Sequence, residues 1–546
     1  MKRTWWKEAV VYQVYWRSFY DSSGDGVGDL RGVIEKLDYI EKLGVNVVWL
    51  NPFYESPDRD NGYDISDYYS VMEKAGTMED FEELLDEAHK RGLKVILDLV
   101  VNHTSDQHEW FLESKSSIDN PKRDWYIWRD PVNGSEPNNW RSYFTPSTWE
   151  YDVGTGQYYF HSFAVEQPDL NWENEEVREA IYDMMRFWLD KGIDGFRMDV
   201  INLLAKIDGF PNAENPEYTD YLANNPGIHD YLKEMNEKVL RHYDILTVGE
   251  IPFVTPEEGL KYVAEDRNEL KTLFHFEVAD DMPSWDMVRY KEIQEKWHKA
   301  FYGKGWNSQF LNNHDHTRQV SRYGNDNRYR KESSKLLATM IHTLPGIPYV
   351  FQGEEIGMTG VRFDTIEDYN DIAMKNKYRE EVEKGRNPVE VFESLLPLSR
   401  DNSRTPIQWD ETEQAGFTEG EPWINVNPNY KMINVKRELS EEDSIFSYYK
   451  DLIALRKEHP VMIYGDYTDL SKGQEKLYVY TRQFEGTRWL IILNCSDDHT
   501  IFDIDVTIDE SNERLILANY NDVSDKDVLK NTSLRPHEAR IYEIAL

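Results

Sequence analysis

Cysteine is almost absent from this 546-residue chain: the one copy, Cys495, excludes an intramolecular disulfide framework and leads to the expectation of a reducing, cytoplasmic compartment. Long hydrophobic runs are missing too, none reaching the roughly 18 apolar residues of a membrane-spanning helix. The start, MKRTWWKEAVVYQVYW, lacks the apolar stretch and small-residue cleavage site of a signal peptide. Positive charge is in deficit. With 62 Lys and Arg against 101 Asp and Glu, the formal net charge of -39 repels nucleic acid and anionic membranes and favours a neutral or cationic small-molecule substrate. Neither a dinucleotide fingerprint nor a phosphate loop is present, so no organic cofactor is expected. A monomer is the simplest assembly.

What is present is an ordinary globular composition, 40% hydrophobic, with a surplus of Tyr and Trp that suits both cores and sites that stack on flat ligand faces. Short apolar runs alternate with helix-period segments, the pattern of βαβ units. Eight strands are expected: AVVYQVYW (9–16), VNVVWL (45–50), KVILDLV (94–100), DGFRMDV (194–200), DILTVGE (244–250), TLFHFEV (272–278), SQFLNNHD (308–315) and IPYVFQG (347–353). Amphipathic stretches lie between them, among them 30–44, 78–92 and 174–192. Eight such repeats predict an α/β fold, a (β/α)8 TIM barrel over 1–103 and 173–467, whose site collects at the C-terminal strand ends. The stretch 104–172, rich in Trp, Tyr, Asn and Pro, is too long for a βα loop and reads as an inserted subdomain after the third strand. A second insertion covers about 359–440. From about 468 to 546, short alternating strands predict a C-terminal antiparallel β-sandwich.

Polar residues gather at the strand ends. In GFRMDV, Arg197 and Asp199 are two apart, so they share a face and point into the barrel. Asp199, Glu250 and Asp315, from three strands, would converge at one mouth. Glycosidic hydrolysis needs two carboxyl groups, one protonated and one ionised. Arg197 is expected to hold Asp199 ionised with a lowered pKa, and crowding by Asp199 and Asp315 to raise that of Glu250. On these residues alone, an inert ion pair closing the barrel interior stays open as an alternative.

The segments DLVVNHTS (98–105), GFRMDVI (195–201), TVGE (247–250) and FLNNHD (310–315) together resemble the conserved regions of the α-amylase superfamily, glycoside hydrolase family 13. QPDLN (167–171) and RDNSRTPIQWD (400–410) resemble its oligo-1,6-glucosidase and α-glucosidase branch. The resemblance implies Asp199 as nucleophile, Glu250 as acid/base and Asp315 as transition-state stabiliser in a retaining double displacement. It further implies His103 and His314 as glucose ligands, Phe163 at the sugar site, Asp98 beneath it near Arg197, and Tyr63 as stacking platform. Asp60, paired with Arg404, would close the pocket and make the enzyme exo-acting. For His103, a plain hydrogen-bonded histidine at a strand end is the alternative.

Val200, directly after the nucleophile, goes in such enzymes with cleavage of α-1,6 bonds, though one methyl-scale difference is worth only about 1–3 kcal/mol. The loop DSSGDGVGD (21–29) spaces Asp21, Ser23, Asp25, the Val27 carbonyl and Asp29 like an EF-hand, but Gly32 replaces the closing Glu. It resembles the branch's structural Ca2+ loop, with Ca2+ or Mg2+ expected, and a metal-free Asp/Gly turn as the alternative. His316–Thr317 after the NNHD motif, and Ile251–Pro252–Phe253 after Glu250, depart from the branch. The expected activity is release of terminal α-1,6-linked glucose from isomaltose-type oligosaccharides. The alternatives are a sucrose isomerase or trehalose synthase, an α-1,4-preferring α-glucosidase, and a non-catalytic relative such as a transporter heavy-chain ectodomain, which the three carboxylates disfavour.

Overall fold

The computed structural model describes residues 2–280, 282, 284–502, 513–523 and 532–544. Eight parallel strands fall inside the eight expected segments: β1 (Val11–Val14), β2 (Val47–Leu50), β3 (Lys94–Leu99), β4 (Gly195–Met198), β5 (Leu246–Glu250), β6 (Thr272–Phe274), β7 (Ser308–Gln309) and β8 (Ile347–Phe351). They pair in the order β6-β5-β4-β3-β2-β1-β8-β7, and a parallel bridge between Leu273 and Asn307 joins the ends into a barrel. β7 is shorter than expected, because after Gln309 the chain turns at the mouth, where Asn313 and His316 bridge.

The two-residue period of the strands sorts their side chains. Val11, Val47, Trp49, Ile96, Leu246, Val248 and Phe274 pack in the barrel interior, while Val10, Tyr12, Val48, Val95 and Leu97 face the helices. Continued toward the C-terminal ends, the same inward rows carry Asp98, Arg197 and Glu250, so the apolar floor gives way to a polar layer.

Among the helices, Met78–Lys90 opens on a Thr77–Asp80 capping box, and Glu175–Asp190 on Asn174, which accepts from the Glu176 N–H. The expected helix over 30–44 is two, Leu30–Glu35 and Leu37–Leu43. The break is at Lys36 (φ -104°, ψ 5°), whose ammonium sits over the rings of Tyr20 at 3.7 Å and Trp409 at 4.6 Å.

The stretch after β3 forms a helix, Glu109–Ser116, and a small antiparallel sheet with Gln157–Phe160 between Trp128–Arg129 and Trp149–Asp152. Its Trp140, Trp149 and Phe160 share a core with Val200, Leu203, Phe210 and Leu222, which welds it to the segment that follows β4. The 359–440 stretch carries helices Ile372–Glu383 and Pro388–Leu395 and the single turn Asp401–Arg404. The two insertions meet through Arg141 and Glu380 (2.9 Å) and through Asn376, which donates to the Phe144 carbonyl.

At the C-terminus five antiparallel strands run in the order Asp466–Asp469, Leu477–Phe484, Thr487–Asn494, Ala539–Ile544, Arg514–Ala518, with Thr500–Ile501 paired to Ser533–Leu534 in a second sheet. Glu485 and Gly486, both at positive φ, make the tight hairpin between two of them. No helix among the described residues is long and apolar enough to cross a membrane.

Candidate active site

The site begins with a glycine. Gly195 (φ 148°) opens β4, and a Cβ there would lie 1.9 Å from the Leu246 carbonyl oxygen, so only glycine lets β4 lie this close to β5. In that register Arg197 stands beside Asp98 on one neighbour and Val248 on the other. Its guanidinium, 1% exposed, serves three carboxylates: Nη1 donates to Asp98 Oδ1 and Asp199 Oδ1, and Nη2 to Glu250 Oε2, each at 2.6 Å. Asp98 also accepts from Trp49 Nε1 (2.6 Å), and Glu250 Oε2 from the Val200 N–H (3.0 Å). That last bond depends on Val200 being left-handed (φ 34°, ψ 43°), a rare state for a β-branched residue and one found where a site demands it.

Sharing one cation among three buried anions sets their protonation. Burial pushes the Asp199 carboxyl up to about 6, with Arg197 opposing and Asp98 adding to the rise. The expected lowering of Asp199 is therefore overturned, since one guanidinium divided three ways does not outweigh desolvation. Glu250 rises further, to about 8, through burial first, then against Arg197 and with the Asp199 charge, so desolvation rather than crowding leads. At neutral pH the pair divides into an ionised Asp199 and a protonated Glu250.

Asp315 goes the other way. Burial raises it, but His314, Arg404 and Arg400 together hold its carboxyl well below the usual range. Arg404 Nη2 donates to Asp315 Oδ1 (2.7 Å) and its Nε to the His314 carbonyl (2.8 Å). Gln13 Nε2 lies 2.8 Å from His314 Nδ1, which leaves the ring proton on Nε2, 3.0 Å from Asp315 Oδ2. Burial holds His314 down at about 4, so it is neutral. Its ring lies parallel to that of Tyr63, whose hydroxyl is 2.8 Å from Nε2.

Asp60, Tyr63, His103, Phe163, Asp199, Val200, Glu250 and Asp315 line one cavity, together with Phe144, His316 and Arg400. Carboxylates and aromatic rings in one lining suit a sugar, which offers hydroxyls and apolar C–H faces. Asp98, Arg197, His314 and Arg404 stand fully buried outside this lining, where they orient it. His103 contacts the Tyr63 carbonyl (3.0 Å) and Gln167 (3.3 Å), and Phe163 packs on its ring.

One expected pair is corrected. Asp60 pairs not with Arg404 but with Arg400 (3.2 Å), which Asp371 holds at 2.8 Å. Arg404, one helical turn further on, is drawn under the site by Asp315 and the His314 carbonyl. The residues missed by sequence reasoning are Arg400, Gln167, Phe144 and Asp371. Arg400 was visible four positions before Arg404 in the quoted RDNSR, and Gln167 in QPDLN, but neither carried a geometric signal.

In the 21–29 loop, Asp21 Oδ1 accepts from the Ser23 and Gly24 N–H groups, and its Oδ2 from Gly26 N–H and the Thr418 hydroxyl. Asp29 caps helix Leu30–Glu35 by accepting from Gly32 N–H, and Asp25 accepts from Val27 N–H. Among the described residues no three His, Cys, Asp or Glu converge as a metal site. A carboxylate oxygen that accepts one N–H keeps a second lone pair, so Asp21, Ser23, Asp25, the Val27 carbonyl and Asp29 remain the residues that would hold Ca2+ or Mg2+, and no chemical step below involves a metal.

Comparison with known proteins bears on this geometry. The chain is 53% identical to the oligo-1,6-glucosidase of Parageobacillus thermoglucosidasius over 100% of both chains, and 48% identical to the trehalose-6-phosphate hydrolase of Bacillus subtilis (strain 168) over 99% of this chain and 98% of that one. Its fold matches the crystal structure of isomaltulose synthase from Erwinia rhapontici NX5 with a TM-score of 0.96, at 42% identity and with 100% of each chain covered. The family model for the α-amylase catalytic domain matches residues 13–465, from the second residue of β1's inward row to the edge of the C-terminal sheet. A barrel whose strand ends bring Asp199, Glu250 and Asp315 together, in a chain matched over that span, makes this protein a member of the α-amylase family and a glycoside hydrolase.

Proposed function

We propose that the chain is a retaining, exo-acting α-glucosidase that releases terminal α-1,6-linked glucose from isomaltose-type oligosaccharides. The observation that carries this reading is Arg197, whose two terminal nitrogens hold the two carboxyl groups that titrate apart, Asp199 near 6 and Glu250 near 8. Carboxyl groups tied to one planar guanidinium are close together, as in retaining enzymes, where about 5–5.5 Å separates them and no water fits between. Protonated Glu250 gives its proton to the glycosidic oxygen while ionised Asp199 attacks the anomeric carbon. Esterification removes the Asp199 charge that helped raise Glu250, so the Glu250 carboxylate persists long enough to take a proton from water. That water then displaces Asp199 and restores both groups. Asp315, held ionised, accepts from sugar hydroxyls, and the Asp60–Arg400 pair blocks the far end, so one glucose fits and cleavage is from the non-reducing end.

The high identity to an oligo-1,6-glucosidase supports the linkage. Val200 agrees with it. A phosphorylated disaccharide, named for the Bacillus subtilis relative, is disfavoured by charge: Arg400 is the one Arg or Lys among the lining residues, and it is committed to Asp371 and Asp60. Transfer to a sugar, named for the Erwinia enzyme, uses the same intermediate and is the second reading. Digestion of isomaltose, maltose, sucrose and trehalose, with Asp199→Asn as control, tests the choice. Glucose from isomaltose, lost in the control, supports hydrolysis; isomaltulose from sucrose or trehalose from maltose overturns it. The single, half-buried Cys495 supports a cytoplasmic setting, and we take the working form to be a monomer.

A further inference from the structure

The end of the barrel opposite the carboxylates gathers the positive charge that the chain otherwise lacks. Lys7 precedes β1, Lys271 directly precedes β6 and Lys304 lies just before β7, so the parallel strands bring all three to the N-terminal face. There Lys2, Lys7, Lys271 and Lys304 line one cleft, with Glu265 as its one carboxylate and Trp6 and Trp306 as its aromatic side. Four ammonium groups against one carboxylate reverse the local sign in a chain of formal net charge -39, whose surface at large repels anions.

Tertiary contacts hold this cluster in place. Lys7 is 4% exposed, and its Nζ lies 5.2 Å from the ring centre of Trp6 and 5.3 Å from that of Trp306, so two indoles flank the ammonium. It donates to Glu265 Oε1 (2.7 Å) and to the Lys2 carbonyl (3.4 Å), and the Glu265 N–H donates to the Lys304 carbonyl (3.3 Å), which ties three segments together. The bond from Lys7 holds the Glu265 carboxyl below its ordinary pKa against partial burial, and the charges of Lys7, Lys2 and Lys271 add to it. The other groups lack partners: among the described residues Lys2, Lys271 and Lys304 form no ion pair, and Glu265 Oε2 receives no hydrogen bond. An adjoining cleft shares Lys2, Trp6, Glu265 and Lys271 and adds Arg241, while its further carboxylate, Glu269, is taken by Arg267 (2.9 Å) and His229 (2.7 Å).

Such a lining selects its occupant. Unpaired ammonium groups around one cleft suit a compact anion with several acceptor oxygens, which a phosphate group supplies. Glu265 stands among them and repels a bare inorganic ion, but its second oxygen accepts from a hydroxyl. The indole rings offer a flat face on which the C–H side of a sugar packs. We propose that this cleft is a second binding site, remote from the catalytic one, for a small phosphate ester that carries hydroxyls, a hexose phosphate being the simplest. The charge that suits this ligand to the cleft keeps it out of the catalytic cavity, where Asp60, Asp199 and Asp315 face inward and Arg400 is committed to Asp371 and Asp60. The site does not depend on which glycosidic linkage the enzyme cleaves.

Isothermal titration calorimetry of the full chain in phosphate-free buffer tests the site, with glucose 6-phosphate, inorganic phosphate and glucose as probes. Glucose 6-phosphate is expected to bind with a Kd below about 1 mM, at least tenfold tighter than inorganic phosphate, and to raise Tm because it bridges the segments before β1, β6 and β7. Lys271→Gln combined with Lys304→Gln removes two exposed charges that line no part of the catalytic cavity. In this double variant the Kd for glucose 6-phosphate is expected to rise at least tenfold, while the ligand-free Tm and the kcat/KM for the glucoside cleaved stay unchanged. Saturating glucose, which enters the catalytic cavity, should leave the wild-type Kd for glucose 6-phosphate where it was. The proposal is overturned by a wild type that does not bind the ester, by inorganic phosphate binding as tightly, or by an unmoved Kd in the double variant. Competition from glucose overturns it as well, since that places the ester in the catalytic cavity.

Discussion

Glu250 and Asp199 differ in their protonation because burial raises both, Glu250 further, against the one cation they share with Asp98, and this has a measurable pH signature. The rate should fall below about 6, as Asp199 takes a proton and ceases to be a nucleophile, and above about 8, as Glu250 loses the one it must donate. A kcat/KM profile on isomaltose between pH 4 and 10 checks both limbs; a single limb would mean that the two roles are misassigned. Glu250→Gln removes the donor and is expected to cost about 10^2- to 10^4-fold on isomaltose, but much less on α-D-glucosyl fluoride, whose leaving group needs no proton. Linkage preference is argued at the same scale. Val200 lines the cavity beside Glu250, and Val200→Thr places a hydroxyl there, which should shift the isomaltose-to-maltose ratio of kcat/KM toward maltose by about tenfold. An unmoved ratio would place the selection elsewhere.

Individual elements were legible where a period and a terminator coincide. All eight barrel strands lie inside the apolar runs that announced them, and the helix Met78–Lys90 starts at its Thr77 cap. What escaped is set by contacts distant in sequence: Lys36 breaks a periodic helix against Trp409, and Asp60 finds Arg400 rather than Arg404 because Asp315 and the His314 carbonyl claim the latter. The rise in the Asp199 pKa escaped because its leading cause, full burial at the barrel mouth, is set by the folded surroundings and not by sequence neighbours. The 21–29 loop keeps the oxygen spacing of a cation site while Asp21 and Asp29 also accept from backbone N–H and hydroxyl donors. Exhaustive EDTA treatment tests the expected ion: a Tm drop of more than about 2 °C, restored by Ca2+ or Mg2+, marks a metal held by Asp21, Ser23, Asp25, the Val27 carbonyl and Asp29, and an unmoved Tm marks a loop closed by its own donors.

At the scale of the whole molecule, the barrel and the C-terminal sheet are fastened by buried cations used as hydrogen-bond donors rather than in ion pairs. Arg482, 1% exposed, donates to the carbonyls of Thr343, Ile463 and Gly465. Lys291, on the barrel helix Met287–Phe301 and 3% exposed, donates to the carbonyls of Ser471, Gln474 and Leu477 at 2.7, 2.6 and 2.9 Å. Nothing in the local sequence marks either residue, because their partners lie more than a hundred positions away or across the domain junction. Burial holds the Lys291 ammonium below its ordinary pKa, with the Asp469 charge opposing, while three carbonyl oxygens accept from it. Lys291→Met keeps the volume and removes the donor, leaving three carbonyls to find others. Since one unsatisfied buried group costs about 1–3 kcal/mol, we expect a loss of roughly 3 kcal/mol after partial rehydration. The loss should be local in character: hydrogen exchange over 466–494 accelerates first, while kcat on α-D-glucosyl fluoride at 25 °C stays within about twofold, because Lys291 donates only to the C-terminal sheet region and does not line the cavity. Uniformly faster exchange throughout the barrel would instead mean that the two domains unfold as one unit and that this junction is no separate seam.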